Sequence, residues 1–500
     1  MITFSLLDWG IIIVYLVATM SAGLAMRRYV GKVEDFIVAG RNMDVYLGVA
    51  SLAATEFGII TAMYTAELGY KNGFAGATPG ILMAVAMFVV GLTGFIIKPL
   101  RDSEALTIPE LLDRRFGSKV RWLAGLVIVL GGVLNMGVFF RAGGEFLITM
   151  TGMPHSYLEI IMTLLVGLVL IYTVMGGMFS VLITDYLQFL VMGLGLVAVS
   201  LLVVMNIGWE NVVSAVEKHR GPGGFNPFTS EGMGPTYVAW QTLNQFAAVI
   251  TWQTVIQRVL SARDSRTARQ VYTRTSFYFV GRFLIPAFWG MAALAALGAD
   301  HPPSDSLQAM PTFLSSLIPS GLLGLVIASM LAAEMSTDSS YLLTWSSILY
   351  NDLICPLRRQ PLTEKGGLRL NRYLVLGIAG FLLFYGLWYQ PPGRIWDYLS
   401  ITANIYLSSI SVLLVACCYW KGARPAGAIG AIIGGALPPL IFLVVSQINL
   451  PLSGAAVSEQ LSIQWLSRSD VSGLLSFGMA ITGMVLGSGI ASRREKKASL

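Results

Sequence analysis

Long apolar segments alternate with short polar ones along the whole chain. A helix needs about 20 apolar residues to cross roughly 30 Å of hydrocarbon, and thirteen segments reach that length, with boundaries known to within a few residues. They are residues 7–26, 46–70, 77–97, 122–150, 157–175, 181–206, 236–257, 275–299, 319–350, 373–390, 397–420, 425–447 and 472–491. The pattern predicts an all-α polytopic membrane protein with thirteen transmembrane helices.

Basic residues between these segments predict the orientation of the chain. With the N-terminus outside, the internal connections hold 26 of the 33 Lys and Arg residues, whereas the external ones hold five. Internal loops of membrane proteins carry such an excess of positive charge. Arg27 and Arg28 follow the first segment and no basic residue precedes it, which is unlike a cleavable signal peptide. We therefore expect a multi-pass protein of the cell (inner) membrane, with its N-terminus outside and its C-terminus inside.

Composition excludes several classes of function. Hydrophobic residues make up 55% of the chain, charged residues make up 12%, and the mean hydropathy is +0.69, which is unlike a soluble protein. The internal loops account for the net charge of +6, so no nucleic-acid partner is expected. Cys355, Cys417 and Cys418 lack the spacing of a metal site or a disulfide framework. The longest external segment, 207–235, contains Gly-Pro-Gly-Gly and Asn-Pro and is predicted to be a loop.

The second apolar segment carries an acidic residue in the middle of the membrane. Glu56 lies within Ser51-Leu-Ala-Ala-Thr-Glu-Phe-Gly58, where an ionisable group is costly unless it is paired or hydrated. The neighbouring glycine and threonine favour a stretch that unwinds and exposes backbone carbonyls to a cation. The alternative is a continuous helix with a glycine at a packing contact and a protonated Glu56.

The ninth segment contains a cluster of hydroxyl side chains in Ala332-Ala-Glu-Met-Ser-Thr-Asp-Ser-Ser340. Ser336, Ser339 and Ser340 share one helical face, whereas Thr337 points about 100° away from Ser336. Hydroxyls and carbonyls are hard oxygen donors that suit an alkali cation. Because serine and threonine also link membrane helices by hydrogen bonds, the cluster alone leaves both interpretations open.

Two further polar stretches lie in the sixth and seventh segments. Asp185 begins the sixth, where it either completes a hydroxyl site or interacts only with the helix macrodipole. The seventh carries amides spaced three and four apart, together with a tryptophan and an arginine: Gln241, Asn244, Gln245, Trp252, Gln253, Gln257 and Arg258. Such a face is suited to a solute pathway, although isolated tryptophans are usually interfacial anchors.

Several motifs resemble those of the sodium:solute symporter family. They are Tyr172-Thr-x-x-Gly-Gly-Met-x-Ser180, Ile183-Thr-Asp-Tyr-Leu-Gln188, Trp252-Gln-x-x-x-Gln-Arg-Val-Leu-Ser261 and Met335-Ser-Thr-x-Ser-Ser340. The resemblance implies a single transmembrane transporter domain, 1–500, with a LeuT-type core of two inverted five-helix repeats. These repeats are expected at 45–206 and 236–420, with an extra N-terminal span in 1–35 and C-terminal spans and a short tail in 425–500.

The resemblance also implies a function and an ion site. We expect sodium-coupled import of a small organic solute by alternating access, without an enzymatic reaction, an organic cofactor or an obligate protein partner. One or two sodium ions are expected to bind. The first site combines carbonyls with hydroxyls, and the second combines hydroxyls with a carboxylate. The expected first set is Ala54, Phe57, Ala333, Ser336 and Thr337, and the second is Asp185, Ser336, Ser339 and Ser340.

The solute cavity is expected between the second and seventh segments. Its predicted lining is Glu56, Thr61, Gln245, Trp252 and Gln253, with Tyr406 or Ser409 from the eleventh segment. A carboxylate facing an aromatic wall suits an amine or a zwitterion such as an amino acid, and Arg141 is the candidate partner for a solute carboxylate. The alternative for Arg141 is a side chain that only reaches the membrane interface.

Alternative substrates and functions stay open at this level. The motifs are nearest to those of choline-transporter-like and proline-permease-like members. Choline transporters place a tryptophan in the second span, where this chain has Glu56, and proline-permease-like members have an aspartate near there. Two other functions remain: a proton-coupled symporter of the same fold, in which Glu56 or Glu334 titrates, and a transport-like membrane sensor.

Overall fold

The computed structural model describes residues 5–298, 305–389, 394–448 and 468–498. Twenty α-helices occur in these ranges, numbered here in chain order. They are α1 (Leu6–Ala25), α2 (Val33–Val38), α3 (Val45–Thr55), α4 (Ile59–Asn72), α5 (Thr78–Thr93), α6 (Ile97–Asp102), α7 (Ile108–Phe116), α8 (Ser118–Met136), α9 (Phe139–Thr151), α10 (Leu158–Asn206), α11 (Trp209–Arg220), α12 (Pro235–Thr251), α13 (Gln253–Ser261), α14 (Ser265–Leu297), α15 (Ala309–Leu317), α16 (Leu323–Ile348), α17 (Glu364–Trp388), α18 (Ile395–Tyr419), α19 (Pro425–Ile448) and α20 (Ser469–Ala498). The prediction of an all-α protein is confirmed.

Each predicted membrane segment coincides with one or two of these helices. Nine helical stretches of the described ranges are long and apolar enough to cross a membrane. The second and seventh predicted segments are interrupted helices, α3/α4 and α12/α13. The fifth and sixth are joined in α10, which bends at Gly177, where φ is +50° and ψ is −143°. Residues 299 and 390, at two segment ends, lie outside the described ranges. The total of thirteen crossings and the orientation of the termini stay predictions.

Local sequence signals account for several helix starts. Ser5 and Asp8 form a reciprocal capping box at the start of α1. The Asp264 side chain caps α14 by accepting a hydrogen bond from the Thr267 backbone N–H at 2.6 Å. Hydrogen bonds from Thr267 lower the pKa of the Asp264 carboxyl group, although burial opposes the shift. The cap therefore favours an ionised side chain in the folded protein.

The prediction that segment 207–235 is a loop is wrong in part, because residues 209–220 form α11. Val212 and Val216, four residues apart, are fully buried on one side of this helix. The Trp209 ring lies 5.9 Å from that of Phe288 on α14. The turn signals that predicted a loop, Gly-Pro-Gly-Gly and Asn-Pro, begin only after α11 ends.

The fold has an apolar exterior and polar groups in its interior. Leu190, Leu194, Val197 and Leu201 are exposed along one side of α10, as expected for a surface that faces lipid. Polar and charged side chains are instead buried where α3, α10, α13 and α16 meet. This arrangement places the candidate site at the centre of the helix bundle.

Small residues bring α4 and α14 into close contact. A Cβ atom added to Gly290 would lie 1.9 Å from the Ala66 carbonyl oxygen, and one added to Gly69 would lie 2.1 Å from the Ala287 carbonyl oxygen. Only glycine permits such an approach of two helix backbones. The contact fixes α4, which follows Glu56, against α14, which carries Arg282.

Candidate functional site

The interruption between α3 and α4 lies at Glu56, Phe57 and Gly58. Helix α3 ends at Thr55, and Gly58 has the extended ψ of 172° before α4 begins. The Thr337 hydroxyl donates to the Thr55 carbonyl oxygen at 2.8 Å. A Cβ atom on Gly58 would lie 2.9 Å from Thr337 Oγ1, so α16 packs directly against the interruption. The end of a helix leaves carbonyl oxygens without helical hydrogen-bond partners. Such oxygens are suitable ligands for a small cation.

The two hydroxyls of the predicted first sodium site point in different directions. Thr337 faces the interruption, together with the buried backbone of Ala54 and Phe57. Ser336 instead donates to Asp185 Oδ1 at 2.6 Å. Ala333, one turn before Thr337 on α16, is fully buried. The structure therefore places the Thr337 hydroxyl at the interruption, whereas the Ser336 hydroxyl contacts Asp185 on α10.

Asp185 is fully buried and is the acceptor of a dense hydrogen-bond network. Its Oδ1 accepts from Ser336, and its Oδ2 accepts from Ser51 Oγ at 2.5 Å. Arg258 Nη2 also donates to Oδ2 at 2.9 Å, which forms an ion pair with both side chains 0% exposed. Such a pair is retained because each charge compensates the other in a medium of low polarity.

Arg258, on α13, connects this network to three other helices, α3, α10 and α16. Its Nη2 donates to Thr55 Oγ1 and to Ser340 Oγ, each at 2.6 Å, and its Nε donates to Ser51 Oγ at 3.1 Å. Ser339 donates to the Ser336 carbonyl oxygen at 3.1 Å. The residues predicted for a second sodium site are thus adjacent, but a guanidinium group lies among them. The sequence interpretation counted Arg258 with the internal basic residues and placed it on a polar face suited to a solute pathway, but it did not assign Arg258 to either ion site.

A cavity lies beside the interruption. Glu56, Thr61, Gln245 and Trp252 line it, as do Thr55 and Thr337 of the adjacent ion region. The complete lining is Thr55, Glu56, Ile60, Thr61, Tyr64, Met83, Asn135, Phe139, Asn244, Gln245, Ala248, Trp252, Arg282, Phe283, Thr337, Tyr341, Trp396, Leu399, Ser400, Ala403 and Leu407. Aromatic and aliphatic walls with a few polar groups are typical of a small-molecule site.

Glu56 and Arg282 place opposite charges in this cavity. Arg282 Nη1 lies 3.5 Å from Glu56 Oε2, and Thr254 Oγ1 donates to Glu56 Oε1 at 2.6 Å. The guanidinium carbon of Arg282 lies 4.9 Å from the Phe279 ring centroid and 5.3 Å from that of Phe283. Its Nε is buried without a hydrogen-bond partner among the described residues. An arginine within a predicted membrane segment indicates a functional site. The sequence alone did not show whether Arg282 faces the cavity or another helix.

The remaining predicted solute residues lie outside the cavity lining. Arg141 donates to the Gly386 and Leu387 carbonyl oxygens at 3.3 and 3.4 Å, which directs it towards α17. Gln253 donates to the Thr251 carbonyl oxygen at 2.9 Å and lines a separate, smaller cavity. Ser409 donates to the Tyr406 carbonyl oxygen within α18 at 3.2 Å.

Several aromatic side chains pack together around Trp252 and form one wall of the cavity. The Trp252 and Tyr406 rings are stacked, with their centroids 6.1 Å apart. Trp252 Nε1 donates to the Tyr341 hydroxyl at 2.9 Å, and the Tyr341 ring lies 5.2 Å from that of Phe139. Tyr341 therefore belongs to the cavity, although the sequence interpretation did not select it. It follows the Ser339-Ser340 pair directly on α16.

Comparisons with known proteins identify the family of this chain. Residues 36–435 match the family model described as sodium:solute symporter family. A sodium/proline symporter of Staphylococcus aureus is 24% identical over 452 residues, which cover 86% of this chain and 85% of the relative. That of Staphylococcus aureus strain Newman is 23% identical over 454 residues, with 87% and 85% covered.

A solved structure shows the same fold. It is the substrate-bound, outward-open state of a Na⁺-coupled sialic acid symporter, which superimposes with a TM-score of 0.78 at 19% identity and covers 98% of both chains. The family and the LeuT-type fold expected from the sequence are confirmed. This chain belongs to the sodium:solute symporter family, a family of membrane-embedded transporters that couple the movement of a solute to sodium.

Proposed function

We propose that this protein imports a small zwitterionic solute together with sodium across the cell membrane. The observation that carries the proposal is the presence of Glu56 and Arg282 in one buried cavity, beside the α3/α4 interruption. A cavity that holds one carboxylate and one guanidinium matches a solute that carries one ammonium and one carboxylate.

The contacts of the two charged side chains support this assignment. The distance of 3.5 Å between Arg282 and Glu56 is longer than that of a close charge-assisted hydrogen bond, about 2.7–2.9 Å. Arg282 Nε retains a free donor among the described residues. Thr254 holds one oxygen of Glu56 and leaves the other directed towards Arg282. A zwitterion would therefore exchange one loose ion pair for two closer ones, while the aromatic wall covers its apolar part.

For the driving ion, we propose a sodium site at the interruption, formed by the carbonyls of Ala54, Phe57 and Ala333 with the hydroxyls of Thr337 and Ser336. To join this site, the Ser336 hydroxyl would have to turn away from Asp185, to which it donates in the structure. Thr337 also lines the solute cavity, so ion and solute would order the same segment. This proximity provides a physical basis for coupling, because each ligand would favour the conformation that the other requires. A sodium ion that moves inward down a potential of about 100 mV releases roughly 2.3 kcal/mol.

The number of ions depends on Arg258. Because its guanidinium already supplies a positive charge to Asp185, we infer that one sodium ion accompanies each solute while this ion pair persists. The second site, formed by Asp185, Ser336, Ser339 and Ser340, would require Arg258 to move away. Flux-ratio measurements that give two ions per solute, with a change to one in Asp185→Asn, would favour the second site instead.

The solute named for the relatives provides the first compound to test. L-Proline is a zwitterion with a secondary ammonium group, and both relatives reported above are named sodium/proline symporters. We propose L-proline or a similar small amino acid as the solute. The experiment is uptake of labelled L-proline into proteoliposomes with an inward sodium gradient and equal pH on both sides. Competition by amino acids, but not by sugars or simple anions, is expected.

Three results would contradict the proposal. Uptake that does not respond to the sodium gradient would exclude sodium coupling and favour a proton-coupled symporter. Sodium-driven uptake in which only sugars or only simple anions compete would retain the coupling but exclude the zwitterion. A sensor would bind the solute without transporting it, so the absence of uptake despite sodium-dependent binding would favour that alternative.

A further inference from the structure

Two polar side chains that face the solute cavity have an atom without a hydrogen-bond partner. Asn244 on α12 and Ser400 on α18 both line the cavity, and each residue is only 3% exposed. Asn244 Oδ1 and Ser400 Oγ are buried and unpaired among the described residues. Because buried polar atoms in proteins nearly always have a hydrogen-bond partner, these two atoms require an explanation.

Ser400 is an exception among the serine and threonine side chains of α18. Each of the others donates to a carbonyl oxygen of the same helix, namely Thr402, Ser408, Ser409 and Ser411. This local bond is a common way for a helix to satisfy a hydroxyl group. Ser400 Oγ makes no such bond within the described ranges. Its hydroxyl can therefore both donate to and accept from a group inside the cavity.

The amide side chains of α12 show a similar contrast. Gln245 Nε2 donates to Gln241 Oε1 at 2.9 Å, one turn earlier on the helix. Asn244 directly precedes Gln245, yet its Oδ1 has no donor in the part of the chain that the structure describes. A carboxamide oxygen is an acceptor. Asn244 and Ser400, called the polar pair below, thus present an acceptor and a hydroxyl group to the same cavity.

The polar pair lies on two helices that pack against each other. Trp396 Nε1 of α18 donates to the Tyr237 hydroxyl of α12 at 3.0 Å. Ser400 follows Trp396 by one turn, and Asn244 follows Tyr237 by two turns, so both lie on the helix faces that this bond joins. One ligand group between α12 and α18 can therefore reach both members of the pair.

The charged pair and the polar pair contact the cavity from different helices. Glu56 precedes α4 and Arg282 is on α14, whereas the polar pair is on α12 and α18. The Phe283 ring of α14 lies 6.0 Å from the Trp396 ring of α18, and both rings line the cavity. A zwitterion held by Glu56 and Arg282 would therefore present the rest of its structure to these rings and to the polar pair.

We propose that the solute carries a hydroxyl group, which Asn244 and Ser400 recognise. The inference rests on the proposed function, in which Glu56 and Arg282 hold the ammonium and the carboxylate. A hydroxyl group can donate to Asn244 Oδ1 and accept from the Ser400 hydroxyl, whereas an alkyl group would leave both atoms unpaired in a closed cavity. A site of this kind discriminates against analogues that lack the hydroxyl group. The solute class is thus a small hydroxylated amino acid, such as a hydroxylated relative of L-proline.

The test compares amino acids that differ by one hydroxyl group. The pairs are L-proline and trans-4-hydroxy-L-proline, L-alanine and L-serine, and the isosteric L-valine and L-threonine. Dissociation constants are measured in sodium by equilibrium binding to the purified protein. In the pair that binds most tightly, we expect the hydroxylated member to bind about tenfold more tightly than the other, as two hydrogen bonds to neutral partners predict.

Two outcomes separate this inference from the proposed function. Equal or weaker binding of the hydroxylated member in every pair would overturn the inference and leave the proposed function intact. The absence of sodium-dependent binding by all of these amino acids would overturn the proposed function, and the inference with it.

Variants of the polar pair assign the effect to these two residues. Ser400→Ala and Asn244→Leu each remove one of the two hydrogen bonds, so the preference should fall to about threefold in each and disappear in the double variant. Ser411→Ala is the matched control on α18, because its hydroxyl donates to the Ser408 carbonyl oxygen at 3.0 Å, and it should keep the full preference. The ratio of two affinities in one preparation does not depend on how much of the protein is folded. A tenfold preference that persists in both single variants would overturn the assignment.

Discussion

Arg282→Gln provides the sharpest test of how the solute is recognised. A hydrogen bond to a charged group contributes about 1.5–3 kcal/mol, and about 1.4 kcal/mol corresponds to a tenfold change in affinity. Loss of the guanidinium should therefore weaken L-proline binding about 10- to 100-fold. L-Prolinamide, which lacks the carboxylate, should lose less than about threefold, because its ammonium still meets Glu56. Dissociation constants for both compounds, measured in sodium by equilibrium binding to the purified protein, give the comparison.

Arg269→Gln is the matched control for this variant. Arg269 is on the same helix, α14, but its side chain donates to the carbonyl oxygens of Gly91 and Leu92, outside the cavity. It should bind both compounds like the wild type. Equal losses for proline and prolinamide in Arg282→Gln would show that Arg282 acts by supporting Glu56. The absence of any loss would remove Arg282 from the solute site.

Three further predictions concern the ion site, the helix packing and the response to acid. Thr337→Ala should raise the sodium concentration for half-maximal uptake about tenfold. The control is Ser347→Ala, which removes a hydroxyl bonded within α16 and should leave this concentration unchanged. An equal change in both variants would contradict the assignment of Thr337 to the sodium site. Gly290→Ala should lower the midpoint of thermal unfolding, because overpacking costs about 1–3 kcal/mol, whereas Gly281→Ala meets its nearest atom at 3.6 Å and should be neutral. Because the folded protein lowers the pKa of Asp264, its contribution to stability is present above pH of about 4 and is lost as the pH falls through the lowered value. Asp264→Asn keeps the helix cap and should therefore show a smaller loss of thermal stability between pH 6 and pH 3; an identical loss would contradict this reasoning.

The interruption at Glu56 could be predicted because its signals are local. A carboxylate and a glycine within one apolar segment indicate a helix that does not continue. Similarly, the different directions of Ser336 and Thr337 follow from helix geometry alone. The interruption at Trp252 has no such signal, because neither a glycine nor a proline accompanies it.

The choice among arginines could not be made from the sequence. Arg141 and Arg282 both lie within apolar segments, and which one faces a cavity depends on how each helix is rotated against its neighbours. In the structure, Phe279 and Phe283 flank Arg282, and carbonyl groups of α17 hold Arg141 outside the cavity. Arg258 was counted with the basic residues at the internal end of its segment, but packing buries it completely. Such rotations are set by tertiary contacts rather than by spacing along the chain.

The contacts of Arg258 also restrict how the transporter can change shape. One buried side chain on α13 holds Asp185 on α10, two hydroxyls on α3 and one on α16. A gradual slide of any of these helices would leave a cation in a dry interior with bonds missing, which is costly. The helices must therefore move as a unit or exchange the complete set of bonds in one step. A single arginine thus favours two alternative arrangements of these helices, because intermediate arrangements would leave some of its bonds unmade.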